Sequence, residues 1–150
     1  MIFILLIICI IIFEWKTKNY IEAVYDDKKQ TYLFHDKIRV RKYHNPGAFL
    51  NIMQYQRKLL HLISILFTCL IGIFFMITLF QKGNYILKLG LSLLLGGAFS
   101  NTYDRLSRNH VIDYFSFCTP FEKFNRIVFN ISDFCILIGT LLVVLKTEHF

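Results

Sequence analysis

Long apolar runs, broken by few polar residues, constrain this chain more than any other feature. The clearest is Leu59–Phe80, whose 22 residues are interrupted only by one histidine and three serine or threonine residues. A helix needs about 20 predominantly apolar residues to cross a bilayer. Four such runs predict an all-α integral membrane protein, a single membrane-embedded domain with transmembrane helices over residues 1–21, 59–80, 85–101 and 127–145.

The first run is shorter in purely apolar residues than the others. Met1–Phe13 contains no charge and is followed by Glu14. A cleaved signal peptide could begin in this way, but no positive residue precedes the run and no A-x-A site follows it. We therefore interpret it as a helix that continues to Ile21. Glu14 and Lys18 stand four residues apart, so they are predicted to form an ion pair near the membrane interface.

Between the first and second helices, residues 22–58 are polar and contain two short stretches of β-forming residues. These stretches, TYLFH and KIRVRKY, are followed by Asn45-Pro46-Gly47, a strong turn signal. The segment is predicted to form a small β-element on the membrane face.

The charge and the metal-binding residue types exclude several classes of function. Lysine and arginine number 17 against 10 acidic residues, and most lie beside the apolar runs, which favours an anionic lipid surface over nucleic acid. The four cysteines form no CxxC pair and the five histidines show no HExxH spacing. We predict no metal and no cofactor.

Polar residues inside or beside the apolar runs are the candidate functional residues, because ionisable groups at bilayer depth are costly. Asn101 and Asp104 are three residues apart, as are Asn130 and Asp133, so each amide is predicted to orient its own carboxylate on a helix face. The end of the third helix, a polar loop with Asp113 and the start of the fourth helix share one side of the membrane.

That arrangement allows Asp113 and Asp133 to meet at a similar depth below the surface. Two carboxylates so close share a proton and can hold a water between them, as in aspartic proteases. The ionised member would take a proton from the water while the other protonates the scissile amide. Arg105 would either pair with Asp104 or anchor a lipid phosphate.

These residues resemble the motifs of lipoprotein signal peptidase, the signal peptidase II family. The stretch GGAFSNTYDR, from Gly96 to Arg105, is similar to the family's GGAxxNxxDR, and VIDY and FNISD are similar to its VxDF and FNxAD. Upstream, NPGAF is similar to NxGAAF and EWKTK to DQxTK. In this sequence Glu14 replaces an aspartate, Tyr114 a phenylalanine and Ser132 an alanine, and the NPGAF turn has one alanine fewer.

The resemblance implies four transmembrane helices with a small β-cradle after the first, and cleavage of signal peptides from diacylglyceryl-modified prolipoproteins. It implies that Asp113 and Asp133 are catalytic. The supporting or substrate-binding residues that we predict are Asn45, Asn101, Asp104, Arg105, Asn130, Glu14 and Lys18. The expected partners are lipid-modified precursors, membrane lipids and inhibitors like the cyclic peptide globomycin.

The expected location is the bacterial cytoplasmic membrane, with the active site towards the outer face. Charge bias alone would favour the opposite orientation, because the loops on the side of the aspartates hold most of the basic residues. Two other functions stay open at this point. One is a non-catalytic relative that binds lipidated peptides or protects against a globomycin-like inhibitor, and the other is a simple four-helix membrane scaffold.

Overall fold

A computed structural model describes residues 1–26, 28–47 and 55–147. Within them, five helices and three strands follow one another along the chain. The elements are α1 (Ile2–Val24), β1 (Gln30–Leu33), β2 (Ile38–Asn45), α2 (Arg57–Leu79), α3 (Tyr85–Arg108), β3 (Val111–Phe117), α4 (Glu122–Asn125) and α5 (Ile131–Thr147). The fold is mostly helical, with one small sheet. The last two residues of the predicted NPGAF turn lie outside the described residues.

The central helix is α3, which packs against α1, α2 and α5. Glycines bring α3 and α5 very close together. A Cβ atom on Gly97 would lie 2.5 Å from the backbone carbonyl oxygen of Ser132, and one on Gly139 would lie 2.6 Å from the carbonyl oxygen of Gly90. Because backbone atoms cannot rotate away as side chains do, these positions require glycine.

One helix of the described residues, α2, is long and apolar enough to cross a bilayer by length and composition. It has 23 residues, with a mean hydropathy of 2.7 over its most apolar window, and only 11% of that window is buried. By contrast, α1 and α3 carry charged residues among their apolar ones, and α5 is 17 residues long. The four predicted membrane helices thus correspond to α1, α2, α3 and α5, of which one meets this criterion.

The sheet has three antiparallel strands in the order β1-β2-β3. Its third strand corrects our sequence interpretation, which placed Asp113 in a polar loop. The segment VIDYFSF is rich in β-branched and aromatic residues, and Val111 to Tyr114 are all buried. Such a segment fits a sheet covered on both faces rather than an exposed loop.

Two helix boundaries also differ from the prediction. The helix α3 continues to Arg108 rather than ending near residue 101, because Asn101 and Asp104 are buried among neighbouring elements and do not face water. The helix α5 begins at Ile131 rather than at residue 127. Residues 127–130 are not helical, and Phe129 forms an isolated bridge with Phe115 of β3.

A β-bulge in β2 decides which side chains reach the site. Before it, Val40 pairs with Phe115; after it, Tyr43 pairs with Asp113 and Asn45 with Val111. One extra residue therefore lies in β2. Because a one-residue shift moves every side chain to the other face of a strand, the bulge puts Asn45 on the same face as Asp113.

Candidate active site

The two candidate catalytic aspartates lie at one end of the helical bundle, on different elements. Asp113 is the third residue of β3, and Asp133 is in the first turn of α5. The segment before α5 joins them, since the backbone N–H of Phe129 donates to the carbonyl of Phe115 over 2.7 Å. This pairing holds the start of α5 beside β3.

Two amides bind the Asp113 carboxylate, one at each oxygen. Asn45 donates its Nδ2–H to Oδ2 over 3.0 Å, and Asn130 donates to Oδ1 over 2.7 Å. The carboxyl group is 2% exposed. Burial and then the charge of Asp133 raise the pKa of Asp113 to about 8, although both amide donors act in the opposite direction. At neutral pH the site therefore retains a proton.

The Asp133 carboxylate is fixed by a reciprocal cap at the start of α5. Its Oδ2 accepts the backbone N–H of Asn130 over 3.0 Å, while the Asn130 side-chain oxygen accepts the backbone N–H of Asp133 over 3.0 Å. This is the geometry of a capping box, with an amide and an aspartate in the usual Ser/Thr and Glu places. The other oxygen, Oδ1, accepts Nδ2–H of Asn101 over 3.0 Å.

Asn130 is the residue that contacts both aspartates. Its amide nitrogen donates to Asp113, and its backbone and side-chain oxygen bind Asp133. The residue is fully buried. A single residue therefore sets the position of the two carboxylates relative to each other. After burial, the charge of Asp133 is the next cause of the raised pKa of Asp113.

Of the two predicted amide–carboxylate pairs, Asn130 with Asp133 is present, whereas the pair within α3, Asn101 with Asp104, is wrong. Asn101 does not orient Asp104; it bridges Lys18 and Asp133, because its side-chain oxygen accepts from the Lys18 ammonium over 3.0 Å. Nor does Asp104 pair with Arg105. Its two oxygens lie 2.9 Å from Nζ of Lys18 and 3.3 Å from Nε of Arg108, and Arg108 follows four residues later on the same helix face.

The predicted ion pair between Glu14 and Lys18 is confirmed, with 3.5 Å between Nζ and Oε2. It does not lie at an exposed helix end, because Glu14 is 0% and Lys18 1% exposed. The ammonium also donates to Ser100 Oγ over 3.0 Å. Buried charges are tolerated when paired and hydrogen-bonded in this way. Through Asn101, this network supports Asp133.

Arg105 points towards the end of β2 instead of towards Asp104. Its guanidinium donates to the carbonyl oxygens of Asn101 and Gly47, each over 3.3 Å. Burial lowers the pKa of the Arg105 guanidinium, and the charges of Asp113 and Asp133 act in the opposite direction. Its Nε is buried without a hydrogen-bond partner among the described residues. The Nε–H of Arg105 is thus free to donate a hydrogen bond near the two aspartates, and a substrate carbonyl oxygen could accept that bond.

Three residues that depart from the family pattern lie together, a relation that the sequence did not reveal. The Tyr114 hydroxyl donates to Oε1 of Glu14 over 2.6 Å, and the Ser132 hydroxyl donates to Oε2 over 2.8 Å. The same tyrosine oxygen accepts the backbone N–H of Ile131 over 3.1 Å. We call Glu14, Tyr114 and Ser132 the departure cluster. One feature of the sequence points to this cluster. Tyr114 and Ser132 each add a hydroxyl to the family residue, and Glu14 carries its carboxylate on a longer side chain.

Comparisons with known proteins identify the family of this chain. A family model described as signal peptidase (SPase) II matches residues 6–148. The lipoprotein signal peptidase of Shouchella clausii (strain KSM-K16) is 36% identical over 96 residues, which cover 63% of this chain and 58% of that protein. The match therefore spans less than two thirds of that relative's length.

Two solved structures, both described as a bacterial membrane enzyme determined by the in meso method, share the fold. One has a TM-score of 0.84 at 23% identity, covering 98% of this chain and 87% of the other. The second has a TM-score of 0.79 at 24% identity, covering 97% and 91%. With the family model matching nearly the whole sequence, the chain belongs to the signal peptidase II family.

Proposed function

We propose that this protein is an aspartic endopeptidase that removes signal peptides from diacylglyceryl-modified prolipoproteins. One observation carries the proposal: the buried Asp113 and the half-buried Asp133 lie at one end of a helical bundle, and the same residue, Asn130, holds both. Family membership and the name of the Shouchella clausii relative support the substrate class.

The chemistry follows from a carboxyl pair that shares one proton at neutral pH. The raised pKa of Asp113 is consistent with such a pair, which titrates as a unit. The ionised carboxylate accepts a proton from a water held between the two groups, and the water oxygen attacks the scissile carbonyl carbon. The protonated carboxyl donates its proton to the substrate, and the amide C–N bond breaks when the nitrogen leaves protonated.

The supporting residues have distinct roles in this proposal. Asn45, Asn101 and Asn130 hold the carboxylates. Arg105 donates to the substrate backbone or to a lipid phosphate through its free Nε–H. Glu14, Lys18 and Asp104 form the buried charge network beneath Asp133, and it keeps Asn101 in place.

The same proposal includes a single domain in the bacterial cytoplasmic membrane with four membrane-spanning helices. These are α1, α2, α3 and α5, which correspond to the spans predicted over residues 1–21, 59–80, 85–101 and 127–145. The outward faces of α1, α2 and α5 support it, because they expose large apolar side chains such as Leu5, Phe67, Phe74, Leu137 and Leu141. The charges that lower the apolarity of α1 and α3 include Glu14, Lys18 and Asp104, which face inward to one another.

The chain crosses the membrane twice between the C-terminal end of α1 and the C-terminal end of α3. It does not cross between the end of α3 and the first turn of α5. All three would therefore lie on the same side of the membrane. The active site would open towards the outer face, where lipid-modified precursors, membrane lipids and globomycin-like inhibitors meet it. The basic residues of that side would lie along anionic headgroups.

A gel-shift cleavage assay with a purified lipidated precursor tests the proposal. We expect Asp113→Asn and Asp133→Asn to abolish cleavage, and globomycin to inhibit the unaltered protein. The matched control is Asp36→Asn, because Asp36 is exposed in the β1–β2 turn and its φ of 61° suits asparagine equally well. Full activity in either variant would refute the dyad, and binding without any turnover would favour the non-catalytic alternative.

A further inference from the structure

Three metal-ligating side chains converge beside the sheet, outside the aspartate pair. They are Glu22 in the last turn of α1, His44 near the end of β2 and His110 directly before β3. The His44 Nε2 lies 2.8 Å from Oε2 of Glu22. The two imidazole rings have centroids 4.1 Å apart with an interplanar angle of 35°. One ligand atom from each residue lies within 4.8 Å of the others.

We propose that Glu22, His44 and His110 form a binding site for a first-row transition-metal dication such as Zn²⁺. Two imidazoles and one carboxylate are donors that suit Zn²⁺, Cu²⁺ and Ni²⁺, whereas Mg²⁺ and Ca²⁺ prefer all-oxygen sites. The same donor set recurs in three-ligand zinc sites, where water completes the tetrahedron.

The spacing of the donor atoms supports metal binding. Zinc bonds to nitrogen or oxygen at about 2.0–2.1 Å, so tetrahedral ligands stand roughly 3.3 Å from one another. The contact between His44 and Glu22 is slightly shorter than this separation, and the largest separation in the group is longer. Small side-chain rotations on partly exposed residues would bring the three donors to equal distances from an ion.

Exposure favours entry of an ion. His44 is exposed, whereas Glu22 and His110 are half-buried. An ion can therefore enter from solvent and keep one or two waters. The sequence showed no metal spacing because the three ligands are separated by 22 and 66 residues along the chain and meet only in the fold.

Two cations face this group of ligands, Lys42 beside Glu22 and Arg108 beside His110, and Arg108 is itself paired with Asp104. Nζ of Lys42 lies 4.0 Å from Oε1 of Glu22, so it competes with a metal for this carboxylate. Replacing Lys42 with glutamine removes that competition. The variant is therefore expected to bind the metal more tightly, an effect that a site elsewhere on the protein would not show.

The site adjoins the strand ends that carry catalytic candidates. His44 precedes Asn45 and pairs in register with Ile112, which precedes Asp113. A bound ion would join the last turn of α1 to both strand ends. By linkage, it would raise the thermal unfolding midpoint of the whole protein. Metal binding at these three residues does not require peptidase activity.

The test is calorimetric titration of ZnCl₂ into the full-length protein in detergent, after removal of any polyhistidine tag, with MgCl₂ in parallel. We expect one Zn²⁺ per chain and no Mg²⁺ binding. Loss of groups that merely orient a metal ligand weakens binding by about 10- to 100-fold. Losing a ligand in Glu22→Gln or His110→Gln should therefore weaken it by at least about 100-fold, and His35→Gln in the exposed β1–β2 turn should not.

Cobalt provides a second measurement that does not depend on the stability of the variants. Co²⁺ bound by two imidazoles and a carboxylate gives visible d–d absorption bands, and Zn²⁺ should displace them. Absence of Zn²⁺ binding to the unaltered protein would overturn the proposal. So would binding that is unchanged in both Glu22→Gln and His110→Gln.

Discussion

The departure cluster predicts strong energetic coupling between residues far apart in the sequence. In Tyr114→Phe, Oε1 of Glu14 loses the hydroxyl donor that now lies 2.6 Å away. The backbone N–H of Ile131 also loses its acceptor. Glu14 is fully buried, so water cannot replace the missing donor without a rearrangement.

The expected cost follows from these contacts. A hydrogen bond to a charged group contributes about 1.5–3 kcal/mol, and an unsatisfied buried partner adds a desolvation cost of roughly 1–3 kcal/mol. We therefore expect Tyr114→Phe to lower the free energy of unfolding by about 2.5–6 kcal/mol. Ser132→Ala, which removes a 2.8 Å hydrogen bond to the other oxygen of Glu14, should cost about 1.5–3 kcal/mol.

The decisive comparison is a double-mutant cycle. If the cluster acts as a unit, the double variant Tyr114→Phe/Ser132→Ala should differ from the sum of the single variants by about 0.5–3 kcal/mol.

Stability would be measured as reversible denaturation in mixed micelles, followed by circular dichroism. The matched control is Tyr103→Phe, since Tyr103 lies on an exposed face of α3. It should change the free energy of unfolding by no more than about 0.5 kcal/mol. Strict additivity of the two cluster substitutions, or a Tyr114→Phe cost no larger than that of the control, would refute the reasoning.

Four further predictions concern the site and its supports. Burial and the charge of the other aspartate raise the pKa of Asp113 to about 8, so cleavage should fall about tenfold per pH unit above that value, as a pH–rate profile would show. The same shift predicts that the free energy of unfolding falls as pH rises from about 4 to about 8, since the unfolded carboxyl ionises first. In Asp113→Asn this decline should be smaller than in the unaltered protein. Gly97→Ala should destabilise by more than about 2 kcal/mol in thermal denaturation, because its Cβ meets a backbone oxygen at 2.5 Å. Gly96→Ala should cost less, because its nearest contacts, with side-chain atoms of Ile10, are longer at 3.1 Å. Deleting Lys42 removes the β2 bulge and turns Asn45 away from Asp113. The cleavage rate of this variant should fall at least as far as that of Asn45→Ala. Activity equal to that of the unaltered protein would show that the bulge does not position Asn45.

The sequence alone determined the helices and the identity of the candidate residues. Apolar runs show helical segments directly, because each helix satisfies its own backbone hydrogen bonds and needs only a suitable composition along one stretch. The charged pair Glu14 and Lys18 could be predicted for the same reason, since the two residues are neighbours on one helix face.

The tertiary structure alone decided which partners these residues have. The spacing predicts that Asn101 binds Asp104, but its side chain donates a hydrogen bond to Asp133 instead. Asp113 lies on β3, and the neighbouring strand β2 carries a bulge. Such contacts join residues that are 32 or 68 positions apart, and their geometry depends on strand register and on the close approach of α3 and α5 at glycines. Local patterns hold no information on register or approach, because both are set by the packing of the whole chain.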